Sequence, residues 1–363
     1  MGTSILARAY EAFLGLLNPW VFMSMAGSFL PQTVRKLFET HGFLGSIPIL
    51  LSPSRFKDAW FGEFWAVAGP NVRNRGGPNV LALLDGRTTG GRVVDQPTGP
   101  GIGGVCIEIG AASGLWVEIF SNRHMYEDDT AVEEEKAAEA GGVGGWKGPG
   151  PGPGQTSSPP SSSSELRERA TATQAGDKLR AEKRKNKRSN TARTQITHVY
   201  GVEPNPAHHA ALWRSVEAAG LQDIYEIVPV GIEDLSSSSS SSSDNKKWEG
   251  NIEPNSVDCI VSVLCLCSIP EPERHTRELY KLLRPGGRWY VYEHVKRESG
   301  WVMRIYQRIV NLVWPHFLNG CQICRPTEKT LRSAGPWTKV DVAHLPDEPW
   351  YGTLPHILGV FTK

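Results

Sequence analysis

The sequence predicts an α/β fold with a doubly wound, mostly parallel sheet of seven strands. Strand-like runs alternate with helical segments from residue 105 to residue 295, which is the pattern of βαβ units. The run 257–266, VDCIVSVLCL, is apolar throughout, as expected of a central parallel strand covered on both faces. A glycine-rich turn follows the first strand. It predicts a site at the carboxyl edge of the sheet where the backbone can come close to a ligand.

Boundary signals and apolar runs predict the individual elements. The helix 206–219 is opened by Asn205-Pro206 and closed by Gly220, and the helix 271–283 is stopped by the sequence RPGG. Further helices are predicted at 56–68 and at 114–120. The strands are predicted at residues 105–108, 198–203, 225–230, 257–266, 288–295, 339–344 and 356–362.

Two segments lack the apolar periodicity that builds a core. Residues 126–194 run from acidic to glycine- and proline-rich, then serine-rich, then basic, and residues 236–250 begin with a serine run. Ordering them would cost conformational entropy that no burial offsets, so we expect disordered surface insertions. The predicted organisation is an N-terminal apolar segment, 1–54, and one domain, 55–363, interrupted by both insertions.

Composition limits the partners and the compartment. The net charge of +1 gives no electrostatic case for nucleic acid. The basic run 183–188 lies within an insertion, where a solvated loop is favoured over a nuclear address or a nucleic-acid patch. The six cysteines are scattered, which suits a reducing compartment. We expect an intracellular monomer without a nucleic-acid partner.

The N-terminal segment has two open interpretations. Residues 12–30 carry no charge over 19 positions, Pro19 interrupts the run, and Arg35 and Lys36 follow it. One interpretation is an in-plane anchor on an internal membrane surface, such as that of the endoplasmic reticulum or a lipid droplet. The other is a helical flap packed on the domain, because a short apolar run alone does not separate the two.

The turn after the first strand predicts a ligand site. Glu108 is followed by Gly110, Ala112 and Gly114, small residues that let the backbone approach a ligand. Leu115 stands where a dinucleotide-binding pattern needs its last glycine, and Glu108 would repel a pyrophosphate. The same acid suits a ligand that carries ammonium and sulfonium charges. An ordinary tight strand–helix turn stays an alternative.

A second acid, Glu203, strengthens the prediction of this site. It ends the second predicted strand, where a carboxylate can accept hydrogen bonds from both ribose hydroxyls of a nucleoside. Gly110 and Glu203 are 93 positions apart, of which 69 belong to the predicted insertion, and the remaining 24 are close to the roughly 20 expected in such folds. The insertion therefore leaves the predicted site intact.

The order of motifs resembles that of class I methyltransferases near the ubiquinone-biosynthesis branch. Glu-x-Gly-x-x-x-Gly is followed by GVEPNP, VDCIVSVLCLCSI and LLRPGGRWYVYEHV. Closer still, the chain is similar to the membrane-bound thiol methyltransferases of animals, the methyltransferase-like seven group, and to their fungal relatives. The resemblance covers residues 105–125 and 196–363. The motifs that carry it are Cys267-Ser268, 283–287, 293–295 and 319–321, the last resembling their Asp-Gly-Cys.

This resemblance implies the Rossmann-like methyltransferase fold and S-adenosylmethionine as the cofactor. The acid and the two glycines of the turn would cradle its methionine part, and Glu203 would bind its ribose. Two positions depart from the pattern, since Ala112 replaces the middle glycine and Gly231 stands where many relatives have an aspartate that reads the adenine amino group. The implied cofactor-binding residues are Glu108, Gly110, Ala112, Gly114, Glu203, Pro204, Ile232, Glu233, Ser262 and Leu264.

The resemblance also implies a small lipophilic methyl acceptor, with a thiol as the first candidate. O- or C-methylation of a quinone, phenol or lipid stays open, and so does a catalytically silent binding or scaffold protein on the same fold. His294 is the candidate base for a thiol, with a purely structural role as the alternative, and Cys267 and Ser268 would line the acceptor side. Cys321-x-x-Cys324 has no second pair at matching spacing, so no metal is expected.

Overall fold

The computed structural model describes residues 5–121, 195–235 and 248–363. The whole predicted insertion 126–194 and most of the predicted insertion 236–250 lie outside these ranges, so the expectations about them stay predictions. The elements below belong to the described part of the chain.

The helices and strands follow the alternation that the sequence predicts. The helices are α1 (Ile5–Ser28), α2 (Leu30–Leu50), α3 (Pro53–Leu84), α4 (Pro206–Ala219), α5 (Pro272–Leu282), α6 (Trp301–Phe317) and α7 (Thr327–Arg332). The strands are β1 (Thr88–Thr89), β2 (Arg92–Val93), β3 (Gly104–Ile109), β4 (Ile196–Val202), β5 (Tyr225–Val228), β6 (Val257–Val263), β7 (Leu283–His294), β8 (Lys339–His344) and β9 (His356–Thr362).

Strands β3 to β9 form one seven-stranded sheet in the order β5-β4-β3-β6-β7-β9-β8. The strands from β5 to β7 in this order pair in parallel, and β9 runs antiparallel to both β7 and β8. The order reverses between β3 and β6, which makes the gap beyond their carboxyl ends the topological switch point. The predicted fold class, a doubly wound and mostly parallel sheet of seven strands, is confirmed.

Helix α4 shows how closely local sequence sets an element here. The Asn205 side chain accepts a hydrogen bond from the Ala207 backbone N–H at 2.9 Å and so caps the first turn. Gly220 ends the helix in the left-handed conformation at φ 67°, which costs a glycine little. Both ends lie where the sequence predicts them.

Two predicted helices have the wrong extent. The helix predicted at 56–68 is part of the longer α3, which continues through Pro70 and Pro78 to Leu84. The stretch 114–120, predicted to begin a helix, holds only a short 3-10 turn over Val117–Phe120 within the described residues, which end there at 121. Positive φ angles at Gly110, Ala112 and Gly114 keep the preceding chain out of helical geometry. Apolar spacing therefore indicated the buried positions but not the helix lengths.

Both faces of the sheet are covered, and a third cluster joins the N-terminal helices to the rest. In β3, Cys106 belongs to the core cluster that includes residues of α3 and α4, whereas Ile107 belongs to the cluster that includes residues of α5 and α7. The third cluster unites Met23 of α1, Phe64 of α3 and Val310 of α6. Helix α1 is therefore packed against the part of the fold that borders the carboxyl edge of the sheet.

Candidate active site

A cavity of about 700 Å³ lies at the carboxyl edge of the sheet, at the switch point between β3 and β6. Its volume falls in the range of roughly 300–1,000 Å³ that small-molecule sites occupy. The walls come from the loops after β3, β4, β5 and β6, from the end of β7, from the loop after α6, and from α1 and α3. The fold thus brings widely separated stretches of sequence to one site.

The turn after β3 brings its backbone directly against the loop after β6. Gly110 and Ala112 have left-handed φ angles of 69° and 47°, and Leu264 in the second loop has φ 55°. A Cβ placed on Gly110 would lie 2.7 Å from the Cys265 Cβ, closer than packed side chains approach. Glycine is therefore required at 110, and the two loops form a wall made largely of backbone.

Glu203 follows β4 and is 6% exposed. Its Oε2 accepts a hydrogen bond from the Ala112 N–H and its Oε1 accepts one from the Asn205 N–H, both at 2.8 Å. Burial raises the pKa of Glu203 to about 7, although the two N–H groups act in the opposite direction. A carboxylate offers about four lone-pair sites, so these bonds leave acceptor capacity toward the cavity. Glu203 therefore holds the turn in place and also presents an acceptor to a ligand.

Most of the residues predicted from the sequence meet on the cavity wall. Those that line it are Gly110, Ala112, Glu203, Pro204, Ile232, Glu233, Leu264, Cys267, Ser268 and His294. Glu108, Gly114 and Ser262 are not among the lining residues. The structure gives these three a packing role next to the site.

Each of the three has a partner that explains its place behind the wall. Glu108 accepts a hydrogen bond from the Tyr225 hydroxyl at 2.5 Å. Ser262 is fully buried and accepts one from the Trp289 Nε1–H at 3.0 Å. A Cβ on Gly114 would lie 2.6 Å from the Ser215 Cβ, so this glycine makes room for α4. Sequence spacing predicted their neighbourhood correctly but not the direction in which they face.

Glu233 occupies the space that a side chain at position 231 would need. A Cβ on Gly231 would clash with the Glu233 carboxylate, and both residues line the cavity. The sequence departs from the family pattern by having glycine at 231, and the carboxylate two residues later lies at that point instead.

Glu293 is an important residue of this region to which sequence reasoning gave no role. It is 0% exposed, and its carboxylate accepts hydrogen bonds from the backbone N–H groups of Cys265 at 3.1 Å and Leu266 at 3.2 Å. Burial raises its pKa to about 7. An acid inside an otherwise apolar strand was the available signal. Glu293 fixes the loop after β6, which carries the cavity-lining residues Cys267 and Ser268.

The far end of the cavity gathers two thiols and an imidazole. Cys267, His294 and Cys321 are buried and line the cavity, and the Cys321 Sγ is 3.3 Å from the His294 Nε2. The Trp314 Nε1–H also donates to the Cys321 Sγ at 3.2 Å. Hydrogen bonding with Cys321, followed by burial, raises the pKa of the Cys267 thiol well above its ordinary value. The sequence singled out Cys321 only through a family motif and its spacing from Cys324, because its partners in this group lie in other elements.

Comparison with known protein families identifies one domain of this chain. Residues 185–291 match the family model described as a methyltransferase domain, which begins after β3 and ends within β7. The carboxylate after β4 and the switch-point cavity stand where that fold binds its cofactor. The chain carries a methyltransferase domain over the matched residues. The cofactor of this domain is S-adenosylmethionine.

The relatives of the methyltransferase domain include thiol S-methyltransferases. The chain is 30% identical to thiol S-methyltransferase TMT1B of Rattus norvegicus over 164 residues, covering 45% of this chain and 61% of the relative. It is 34% identical to thiol S-methyltransferase TMT1A of Homo sapiens over 113 residues, covering 31% of this chain and 46% of the relative. The chain thus spans less than two thirds of the curated relatives it matches. Among solved structures it resembles a putative O-methyltransferase from Nostoc punctiforme, with 10% identity, a TM-score of 0.41, and coverage of 84% of this chain and 60% of the other.

Helix α1 forms part of the cavity wall. Asn18, Pro19 and Phe22 line the cavity, and the Trp60 Nε1–H donates to the Ala26 carbonyl at 2.8 Å. The face of α1 that makes these contacts is packed on the domain, as the flap interpretation expects. The opposite face is exposed and apolar, and the stretch Leu6–Leu50 is long and apolar enough to cross a membrane by length and composition, with 17% of its most apolar window buried. The packed face of α1 fits the flap interpretation, and the anchor interpretation stays a prediction.

We expect the free energy of unfolding of the chain without bound ligand to fall as pH rises from about 4.5 to about 7. Burial raises the pKa values of Glu108, Glu203 and Glu293 from 4.5 to about 7, so the folded state binds more protons than the unfolded state in this window. Each group contributes at most about 1.4 kcal/mol per pH unit. Burial of His208, which lowers its pKa to about 4, offsets part of this loss below pH 6.5.

Urea unfolding at a series of pH values measures this slope. Glu108→Gln keeps an acceptor for the Tyr225 hydroxyl but removes one titrating group, so its slope should be shallower than that of the parent. Glu278→Gln, an exposed acid on α5, is the matched control and should leave the slope unchanged. Equal slopes for Glu108→Gln and the parent would contradict the account of these carboxyls.

Proposed function

We propose that this chain transfers the methyl group of S-adenosylmethionine to a small lipophilic thiol. The observation that carries the proposal is a single cavity that joins Glu203 at one end to the sulfur–imidazole group of Cys267, His294 and Cys321 at the other. Similarity to thiol S-methyltransferases supports the same acceptor class. Because the chain spans only part of these relatives, the acceptor is a proposal about this chain.

The residues at the Glu203 end fit the cofactor. Glu203 has acceptor capacity left for two ribose hydroxyls after its two backbone hydrogen bonds. The close approach of Gly110 to Cys265 leaves backbone rather than side chains facing the methionine part, and Glu233 borders the place for the adenine. When bound, S-adenosylmethionine supplies an electrophilic methyl group on a sulfonium.

The opposite end suits an apolar acceptor with one reactive atom. Phe22, Trp314 and Leu318 line it, so an alkyl or aryl group would bury its surface there. In this proposal His294 receives the thiol proton or polarises the S–H bond, and Cys267 and Ser268 border the acceptor. Holding the acceptor sulfur in line with the methyl group supplies much of the rate acceleration, because positioning removes most of the entropic barrier.

A matched panel of acceptors tests the thiol assignment. Purified full-length chain is incubated with S-adenosylmethionine carrying a labelled methyl group and with an alkyl thiol, the corresponding alcohol, a phenol, a quinol or a lipid. We expect label in the methyl thioether and background label elsewhere. Label on oxygen or carbon, with none on sulfur, would overturn the thiol assignment in favour of the quinone, phenol or lipid alternative.

A catalytically silent scaffold on the same fold is the competing function, because Ala112 and Gly231 depart from the family pattern. A scaffold need not bind S-adenosylmethionine or transfer label to any acceptor. Absence of S-adenosylmethionine binding in calorimetry, together with no label in any acceptor of a broad panel, would favour the scaffold. We also propose that the chain is a monomer and, from its net charge of +1, that it has no nucleic-acid partner.

We further propose that the chain works at an internal membrane surface, where lipophilic acceptors are concentrated. The exposed face of α1 presents apolar side chains that include Phe13 at 56% and Val21 at 63% exposure. Helix α6 adds a second exposed apolar stripe, of which Trp301 and Leu312 are each 74% exposed. The two helices touch, since the Trp20 Nε1–H donates to the Tyr306 hydroxyl at 2.9 Å. Such a face suits in-plane binding at the endoplasmic reticulum or a lipid droplet.

Charge placed on the exposed face of α1 should release the chain from membranes. The double variant Phe13→Glu with Val21→Glu leaves the cavity-lining face of α1 unchanged, whereas deletion of the helix would remove a cavity wall. We expect the parent to float with phospholipid vesicles in high salt and the double variant to stay in the soluble fraction. Gln32→Glu, on the exposed surface of α2, should behave like the parent. A parent that stays soluble at low salt would contradict the membrane proposal.

A further inference from the structure

The three side chains at the acceptor end have the composition of a metal site. Cys267, His294 and Cys321 come from the loop after β6, the end of β7 and the loop after α6. One ligand atom of each lies within 4.8 Å of the other two, and the Cys321 Sγ is 3.3 Å from the His294 Nε2. Both thiols are free, and all three residues line the cavity. The two thiols and the imidazole therefore place soft metal ligands on the wall of a cavity that a small molecule can enter.

We propose that Cys267, His294 and Cys321 bind a zinc-type divalent cation whose open coordination position holds the acceptor sulfur. The inference rests on the proposed function, because it names how the acceptor thiol is bound. Thiolate and imidazole are preferred zinc ligands, and catalytic zinc sites use three protein ligands, including a Cys₂His set, with one exchangeable position. With Zn–S near 2.3 Å and Zn–N near 2.0–2.1 Å, tetrahedral ligand atoms lie roughly 3.5–3.8 Å apart. The group therefore needs only small shifts to close around a cation.

The surroundings of the group support this assignment. The Trp314 Nε1–H donates to the Cys321 Sγ at 3.2 Å, the kind of outer hydrogen bond that orients a ligating thiolate. The His294 Nε2 is the ring nitrogen that faces the Cys321 Sγ, at 3.3 Å, so it is the atom placed to ligate a cation shared with that thiol. Cys324, only three positions after Cys321, is half-buried and does not belong to the group. The three candidate ligands are therefore brought together by the fold, and the C-x-x-C spacing does not create the group.

A cation in this position would activate the acceptor without a dedicated base. The acceptor S–H bond breaks, its proton passes to water, and a sulfur–metal bond forms, because a divalent cation stabilises the thiolate. The thiolate sulfur then donates an electron pair to the methyl carbon as the carbon–sulfonium bond breaks, and that bond's electron pair stays on the departing sulfur. The neutral thioether product is a weaker ligand and leaves the open position. In this account His294 acts as a ligand rather than as a proton acceptor.

Cobalt titration tests the site independently of activity. The full-length chain is purified under reducing conditions, its zinc content is measured, and the metal-depleted protein is titrated with Co²⁺ alone. We expect one cobalt per chain, a sulfur-to-cobalt charge-transfer band and the visible bands of a tetrahedral ion, which shift when an alkyl thiol is added. Cys267→Ser and Cys321→Ser should each weaken cobalt binding at least about tenfold. Cys324→Ser is the matched control and should bind like the parent.

The outcomes separate this inference from the proposed function. A parent without a sulfur-to-cobalt band overturns the metal site, and so does a band that persists in both Cys267→Ser and Cys321→Ser. If either serine variant fails to fold, His294→Gln provides the same comparison. Thiol methylation by metal-free protein in the presence of a chelator overturns the role of the cation and leaves the proposed function standing. A thiol-sensitive cobalt site in a chain that methylates no thiol supports the site and overturns the proposed function.

Discussion

Replacing Glu203 with alanine should lower the affinity for S-adenosylmethionine at least about a hundredfold. Hydrogen bonds to a charged group contribute about 1.5–3 kcal/mol each, and in the proposed function the Glu203 carboxylate accepts two ribose hydroxyls. The substitution also removes the acceptor of the Ala112 and Asn205 N–H groups, so the turn that shapes the cofactor end loses its support. Calorimetric titration of the folded variant measures the loss.

Two further variants separate binding from folding in this experiment. Glu203→Gln keeps the side-chain shape and one strong acceptor, so it should bind S-adenosylmethionine more tightly than Glu203→Ala but less tightly than the parent. Glu278→Ala removes an exposed acid of α5 outside the cavity and should bind like the parent. A folded Glu203→Ala protein with parental affinity would show that the carboxylate does not contact the cofactor.

Replacing Glu293 with alanine should lower the free energy of unfolding by about 2–6 kcal/mol. The substitution leaves the Cys265 and Leu266 N–H groups without their acceptor in a buried setting, and each unpaired buried donor costs about 1–3 kcal/mol. It also leaves a void where a fully buried side chain was. Denaturant unfolding with a single transition provides the measurement.

An exposed acid close in sequence is the control for this prediction. Glu298→Ala removes only a long surface ion pair with Lys296 at 4.0 Å, so it should leave the stability nearly unchanged. Glu293→Gln should recover part of the loss, because its amide oxygen can still accept one of the two bonds. Equal stabilities of Glu293→Ala and the parent would mean that the loop after β6 is held by other contacts.

The contrast between Glu203 and Glu293 shows what the sequence could predict about the site. Glu203 ends a strand whose place in a βαβ unit follows from local pattern, and the spacing from Gly110 survives removal of the predicted insertion. Glu293 also ends a strand, but its role depends on a loop 27 positions earlier that folds back over it. Local pattern places strand ends at one edge of a sheet, while contacts between loops depend on the whole fold.

Dependence on the whole fold also explains why some side chains face a direction that the sequence did not predict. Ser262 was predicted on the cavity wall, yet in β6 it faces Trp289 in the neighbouring strand. Cys321 joins Cys267 and His294 because α6 returns the chain to the carboxyl edge, and nothing in the C-x-x-C spacing indicates that return. Helix α1 could not be assigned as flap or anchor for a related reason, since composition does not say which apolar face is packed. Packing uses the face with Met23, and the face with Phe13 stays exposed.

Calorimetric titration of the purified full-length chain with S-adenosylmethionine tests whether the cavity at the switch point is the cofactor site. We expect one S-adenosylmethionine to bind per chain. The heat is measured at two temperatures, so that a vanishing enthalpy at one of them does not hide binding. Binding should weaken at least about a hundredfold in folded Glu203→Ala and stay unchanged in Glu278→Ala. A folded parent chain that produces no binding heat at either temperature, and whose unfolding temperature does not rise with added S-adenosylmethionine, would contradict the account.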